Sequence, residues 1–254
     1  MMRMIGRARH GIVAFTSLAL FLVMWEVLVR VLKVRPIMVP PPGMVLQELA
    51  AEWSWYLGHA WYTFLTTSAG FVLAVIFGVG IAILLVASKW FESAIYPLII
   101  AMNSVPKVAV APLFVIWLGT DAEPKIAIAF LIAIFAVIVD TVHGLRSVPQ
   151  DVLDLGRVLK GRPHDFFFKV RLPCALPSIL TGMKVAISLA LIGAIVGEFV
   201  SSQRGLGYVI LSAQGTFDTT RVFASIFVLV FMGIGMFGFL AWLERRATPW
   251  RKHA

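Results

Sequence analysis

The sequence contains one cysteine, Cys174, so it cannot form an internal disulfide. No His or Cys stands at metal-ligand spacing, and no metal site is expected. The phosphate-cradling run of Gly, four residues, then Gly-Lys-Ser or Gly-Lys-Thr is also missing. His, Asp and Cys do not converge near a boundary as a membrane-embedded enzyme requires. Charge is scarce: 14% of residues are charged and 60% hydrophobic, with mean hydropathy +0.91. Soluble domains carry about 25% charged residues, so the chain reads as an integral membrane protein. The net charge of +9 would suggest nucleic acid in a soluble protein. Here its placement follows membrane topology instead, and no nucleic acid is expected.

Apolar stretches lie at approximately 12–32, 61–86, 95–117, 124–142, 176–200 and 222–243. About 20 residues rising ~1.5 Å each cross a ~30 Å hydrocarbon core. The expected fold is therefore all-α, with six transmembrane helices in one domain over 1–254. Arg3, Arg7 and Arg9 before Ile12 resemble the start of a signal peptide. The apolar run is long for one, and Arg35-Pro36 and Pro40-Pro41-Pro42 replace a small-residue cleavage site. A retained first helix is expected.

With the N-terminus inside, the inner segments hold Arg3, Arg7, Arg9, Lys89, Arg146, Arg157, Lys160, Arg162, Lys169, Arg171, Arg245, Arg246, Arg251 and Lys252. The outer ones hold Arg30, Lys33, Arg35, Lys125, Arg204 and Arg221. This bias places both termini and the 143–175 loop in the cytoplasm, although Arg30, Lys33 and Arg35 run against it. Pro36 to Pro42 should be extended. Met44 to Leu57 should form an interfacial helix, with Trp53, Trp55, Tyr56, Trp61 and Tyr62 as aromatic anchors.

The 151–173 segment is both polar and patterned. Pro149 suits a first helical turn, and no breaker other than Gly156 and Gly161 follows until Pro163. Val152, Leu155 and Leu159 share one face with Gly156, while Arg157, Lys160 and Arg162 lie largely off it. At about 13 residues, or ~20 Å, the helix is too short and too charged to span a bilayer. A second short segment, Phe166 to Leu172, should end at Pro173. Two readings stand: an amphipathic helix lying on anionic lipid, or a docking helix for a cytoplasmic protein. Glycine inside a helix costs up to ~1 kcal/mol against alanine, which suits close approach to a groove better than lipid contact.

This loop resembles the EAA loop of ATP-binding-cassette (ABC) importer permeases. Asp154 matches its Glu, Leu155 and Gly156 its two alanines, Lys160 its glycine, and Leu172-Pro173 its terminal pair. Leu155 and Lys160 depart from the pattern, with Gly161 one place late. Ser104-Val105-Pro106-Lys107 through Trp117-Leu118-Gly119, and Thr181-Gly182-Met183-Lys184 through Gly205-Leu206-Gly207, are similar to nitrate/sulfonate/taurine-type permeases. The resemblance covers about residues 38 to 243. It implies the type I importer permease fold, with a cytoplasmic coupling helix between helices 4 and 5, in a bacterial inner membrane. It further implies a second permease copy, two cytoplasmic ATP-binding-cassette ATPase subunits and an extracytoplasmic substrate-binding protein. ATP and Mg would be bound by the partner ATPase, with no cofactor in this non-catalytic chain. The residues expected to dock the ATPase are Val152, Asp154, Leu155, Gly156, Leu159, Lys160 and Gly161. The implied cargo is a small anion such as nitrate, taurine or another sulfonate, or a vitamin-like compound such as a thiamine precursor or riboflavin.

Polar residues within spans are costly and usually face a cavity or a partner. Lys107, near Asn103 and between Pro106 and Pro112, either lines a path for anionic cargo or snorkels or pairs with a carboxylate such as Asp140. Lys184 is expected to snorkel to headgroups, and His143 to be a boundary residue. Glu198 either bonds backbone at an outer gate or reaches the interface. In related permeases the region of Gly205-Leu206-Gly207 belongs to that gate. Gly182, Ala186, Ala190 and Ala194, and likewise Gly193 and Gly197, recur at spacing of four and favour tight helix packing. That packing is either internal or at a two-fold interface lining a central cavity. The expected path or gate residues are thus Asn103, Lys107, Gly193, Gly197, Glu198, Gly205 and Gly207. The rival function is an ion-gradient-driven secondary transporter, which should show an inverted repeat and more paired intramembrane charges. No convincing repeat is present.

Overall fold

Long blocks of apolar sequence become helices, and no strand occurs among the residues that the computed structural model describes, 2–158 and 162–250. In chain order the helices are α1 (Met2–Val31), α2 (Pro42–Ala51), α3 (Trp53–Ala87), α4 (Lys89–Ser104), α5 (Ala111–Leu118), α6 (Ala122–Arg146), α7 (Gln150–Val158), α8 (Pro163–Phe166), α9 (Leu172–Val200), α10 (Leu206–Gly215) and α11 (Thr219–Ala247). Among the described residues, four runs are long and apolar enough to cross a membrane: Trp53–Ala87, Ala122–Arg146, His164–Val200 and Thr219–Ala247. The pair Lys89–Ser104 and Lys107–Leu118 makes a fifth if it counts as one broken span.

Contacts divide the chain into two units, Met1–Gly58 with Val209–Val228, and His59–Tyr208 with Leu229–Ala254. In the first, the Glu26 carboxylate on α1 pairs with Arg30 at 2.5 Å and accepts from Gly43 N at 2.9 Å. It thereby caps the N-terminus of α2, where backbone donors and the helix dipole favour an anion. The expected extended stretch Pro36–Pro42 instead begins with a turn, because the Arg35 carbonyl accepts from Met38 N (2.8 Å) and Val39 N (3.3 Å). Pro41, just before α2, is extended, at φ −67° and ψ 144°. The aromatic anchor also needs correction. Trp53 is 60% exposed, but Tyr56 is fully buried with its hydroxyl 3.4 Å from Glu48 Oε1. Arg221 gathers Glu48 (3.0 Å) and Asp218 (3.6 Å) and lies over the Trp55 ring.

In the second unit α6 packs along α9, and small residues set the approach. A Cβ added to Gly193 would lie 2.6 Å from Ala129 Cα, and one on Gly70 of α3 would lie 2.5 Å from Ala129 Cβ. Ala129, Ala186, Ala190 and Ala194 are fully buried. The four-spaced small face of α9 is therefore filled by α6 of the same chain. The expected third span, 95–117, is not continuous: α4 and the following Lys107–Leu118 run are bent by 84°. Val105 before Pro106 is extended (φ −70°, ψ 129°), as a residue preceding proline prefers, and Pro106 supplies no N–H. The segment expected to stop at Pro173 does not stop. A π turn over Phe167–Arg171 leads straight into α9, with Pro173 in its first turn, where a missing donor is tolerated.

Candidate functional site

Opposite ends of the α6–α9 pair carry the candidate residues. At one end the Pro149 carbonyl accepts from Val152 N (3.1 Å) and Leu153 N (3.2 Å), starting α7. Val152, Leu155 and Val158, three apart, are 36%, 57% and 78% exposed. Asp154 lies beside Gln150 Nε2 at 3.5 Å. Gly156 faces inward: its added Cβ would lie 2.5 Å from the Phe166 ring. The close approach expected of a partner at Gly156 is thus made by the chain's own Phe166, because α8 folds back against α7. Leu159, Lys160 and Gly161 lie outside the described residues.

At the other end Glu198 is 1% exposed. It accepts from Thr63 Oγ1 at 2.8 Å and from Gly207 N at 2.7 Å. Leu206 N donates to Thr63 Oγ1 at 2.9 Å, and Gly205 N to His59 Nδ1 at 3.1 Å. Gly205 has φ +104°, and a Cβ there would strike the Glu198 carboxyl. A Cβ on Gly207 would come within 2.9 Å of Glu198. Both glycines therefore make room for Glu198 of their own chain. Gly197 serves the same purpose for Lys125, whose Cα its Cβ would meet at 2.9 Å. Lys125, counted from sequence among the charges at the outer side, is fully buried and donates to the carbonyls of Thr120 (2.5 Å) and Asp121 (2.6 Å). Its charge also acts on Glu198. Burying these ions is tolerable because hydrogen bonds and opposite charge offset their lost hydration.

Lys107 sits at the α4–α5 break, half-buried. Its Nζ donates to Asn103 Oδ1 at 2.5 Å and lies 5.8 Å from the Phe135 ring centre. Among the described residues it has no carboxylate partner. Asp140 instead faces Gly182, whose added Cβ would lie 2.6 Å away. Lys184 does not snorkel: it pairs with Glu244 at 2.6 Å, both side chains being mostly buried. That pairing gives Glu244, beside the inner charges Arg245 and Arg246, a place in the fold. The structure thus unites Glu198, Gly205 and Gly207, and leaves Asn103 and Lys107 as a separate pair. His59, Thr63 and Lys125 were missed. A hydroxyl and an imidazole one helical turn apart, at 59 and 63, were the available signal.

Packed apolar helices, a broken span and a short amphipathic helix with exposed apolar side chains between two spans fit a membrane transport subunit. The chain belongs to the family of binding-protein-dependent transport system inner membrane components, whose profile matches residues 70–249. It is 33% identical over 234 residues to the formylaminopyrimidine transport permease protein ThiX of Halalkalibacterium halodurans, covering 92% of this chain and 93% of that one. It is 31% identical over 238 residues to the riboflavin transport system permease protein RibX of Chloroflexus aurantiacus, covering 92% and 88%. Its fold matches a chain of the methionine ABC transporter MetNI in an inward-facing conformation. That match has TM-score 0.68 at 18% identity and covers 76% of this chain and 97% of the other. The protein is accordingly an ABC importer permease, a multi-pass inner-membrane subunit whose role in transport is not catalytic.

Proposed function

We propose that this permease forms the path for a small solute delivered by an external binding protein, and that a separate ATPase drives it through the 151–173 loop. The exposed Val152, Leu155 and Val158 on α7 carry this reading, because apolar side chains on a short polar helix outside the spans need a partner. Two ATPase subunits, binding ATP and Mg, engage the loops of two permease copies. Each copy is one six-helix transmembrane domain, counting α1 and the broken α4–α5 pair, with both termini cytoplasmic. Asn103 and Lys107 line the path. Glu198, Gly205 and Gly207 stand at its outer gate, with Gly193 and Gly197 holding the helices that carry it. Lys107 favours an anion such as a sulfonate, taurine or nitrate. The named relatives extend the cargo range to vitamin-like compounds such as a thiamine precursor or riboflavin. Co-purification with the cognate ATPase tests the docking surface. Leu155→Asp should abolish it in a permease that still folds, and retention of the ATPase would refute the reading. Gly156→Trp is a poorer probe, because it would collide with Phe166 inside the chain.

A further inference from the structure

Three successive backbone N–H groups, those of Gly205, Leu206 and Gly207, open α10, and each is taken by a side chain from another helix. His59 Nδ1 and Thr63 Oγ1 of α3 take the first two, and Glu198 Oε2 of α9 takes the third. Thr63 ties the set together by donating to Glu198 Oε1. Consecutive N–H groups at a helix start form a concavity that favours negative or lone-pair acceptors. Two of these acceptors keep that capacity at any moderate pH, since a hydroxyl always has lone pairs and a carboxyl retains a carbonyl oxygen. Imidazole differs: Nδ1 accepts only while it carries no proton. The observed bond therefore fixes the neutral ring with its proton on Nε2.

We propose that His59 is a positioning residue whose neutral imidazole latches the α9–α10 turn to α3, so that the proton concentration at this end of the protein sets how firmly the turn is held. Protonation would place an N–H against the Gly205 N–H and replace an attraction by a repulsion. The groups that act on the ring are Arg204 in the turn and Tyr208 of α10, stacked at 6.1 Å, and Glu198 of α9 is joined to the His59 carbonyl through Thr63. Ordinary imidazole titrates near pH ~6.5. The contribution of His59 is present above that range, where the released ring is neutral as well, and is lost as pH falls below it. That this end faces the outside rests on the proposed orientation, whereas the latch itself does not.

Amide hydrogen exchange of the full-length permease in lipid nanodiscs, corrected for the intrinsic rate at each pH, tests the latch irrespective of orientation. Between pH ~7.5 and ~5.5, exchange at Gly205 should rise about tenfold, because the ring released when the turn opens takes up a proton over this range. His59→Gln keeps a side-chain acceptor without titrating and should flatten that profile. An unchanged wild-type profile would overturn the proposal. So would a rise that persists in His59→Gln, since that would assign it to Glu198. Should that variant not fold, ring 15N shifts of the wild type decide, and a protonated Nδ1 at pH ~7.5 contradicts the latch. Vesicles in which only the external pH is lowered test the orientation separately: loosening there locates the turn outside, and its absence alone corrects the orientation.

Discussion

The two ends of the α6–α9 pair satisfy their polar and apolar groups in opposite ways. At the Glu198 end, the buried Thr63 and Glu198 and the half-buried His59 take three backbone donors, and glycines clear the space Glu198 needs. At the α7 end, Val152, Leu155 and Val158 stand exposed to solvent. One end supplies its own partners, and the other leaves apolar surface for a partner from outside. Destabilisation should therefore follow substitution at the first end, and loss of assembly should follow substitution at the second.

The largest effect is expected from Glu198→Leu. It strands the Gly207 N–H, leaves the Thr63 hydroxyl only its longer bond to the His59 carbonyl and removes the carboxyl that acts on the buried Lys125, and should cost about 4 kcal/mol. Thermal unfolding in detergent checks it, with Glu198→Gln retaining most of the stability because an acceptor remains. Gly205→Ala follows. It forces a side chain into φ +104° and against the Glu198 carboxyl, a cost of about 3 kcal/mol by the same measurement. Lys184→Met should cost about 2 kcal/mol by removing the ammonium 2.6 Å from Glu244 in a mostly buried place. Adding Glu244→Gln should recover part of that loss, whereas additive losses would mean the pair contributes nothing. Smallest is Leu155→Ser, expected within about 0.5 kcal/mol of wild type because the side chain packs on little of its own chain. A large loss of stability there would erase the contrast between the two ends.

Much of the helical layout was legible because hydropathy encodes it directly. The stretches 124–142 and 222–243 fall inside α6 and α11. Boundaries shifted where local chemistry outweighed hydropathy. Aromatic residues from Trp53 extend α3 upstream of 61, and proline at 173 opens a helix instead of closing a segment. The Glu198 site was half legible. The glycines and the carboxylate lie within ten residues of each other and drew notice together. Thr63 and His59 lie more than 130 residues away, and no periodicity links them to Glu198. Lys125 counts in the sequence only as an outer-side charge, because a lysine beside a turn usually points to water. Here the carbonyls of Thr120 and Asp121 turn inward to receive it. Gly156 was noticed for the right reason, close approach, but the group approaching it belongs to the same chain.

The most direct test of the contrast is co-expression of the permease and its ATPase with Leu155→Asp and Val158→Asp combined. Tandem purification and a melting curve would be taken on the same sample. The account predicts a permease that melts like the wild type and brings down no ATPase. An ATPase recovered in full with that variant would contradict it.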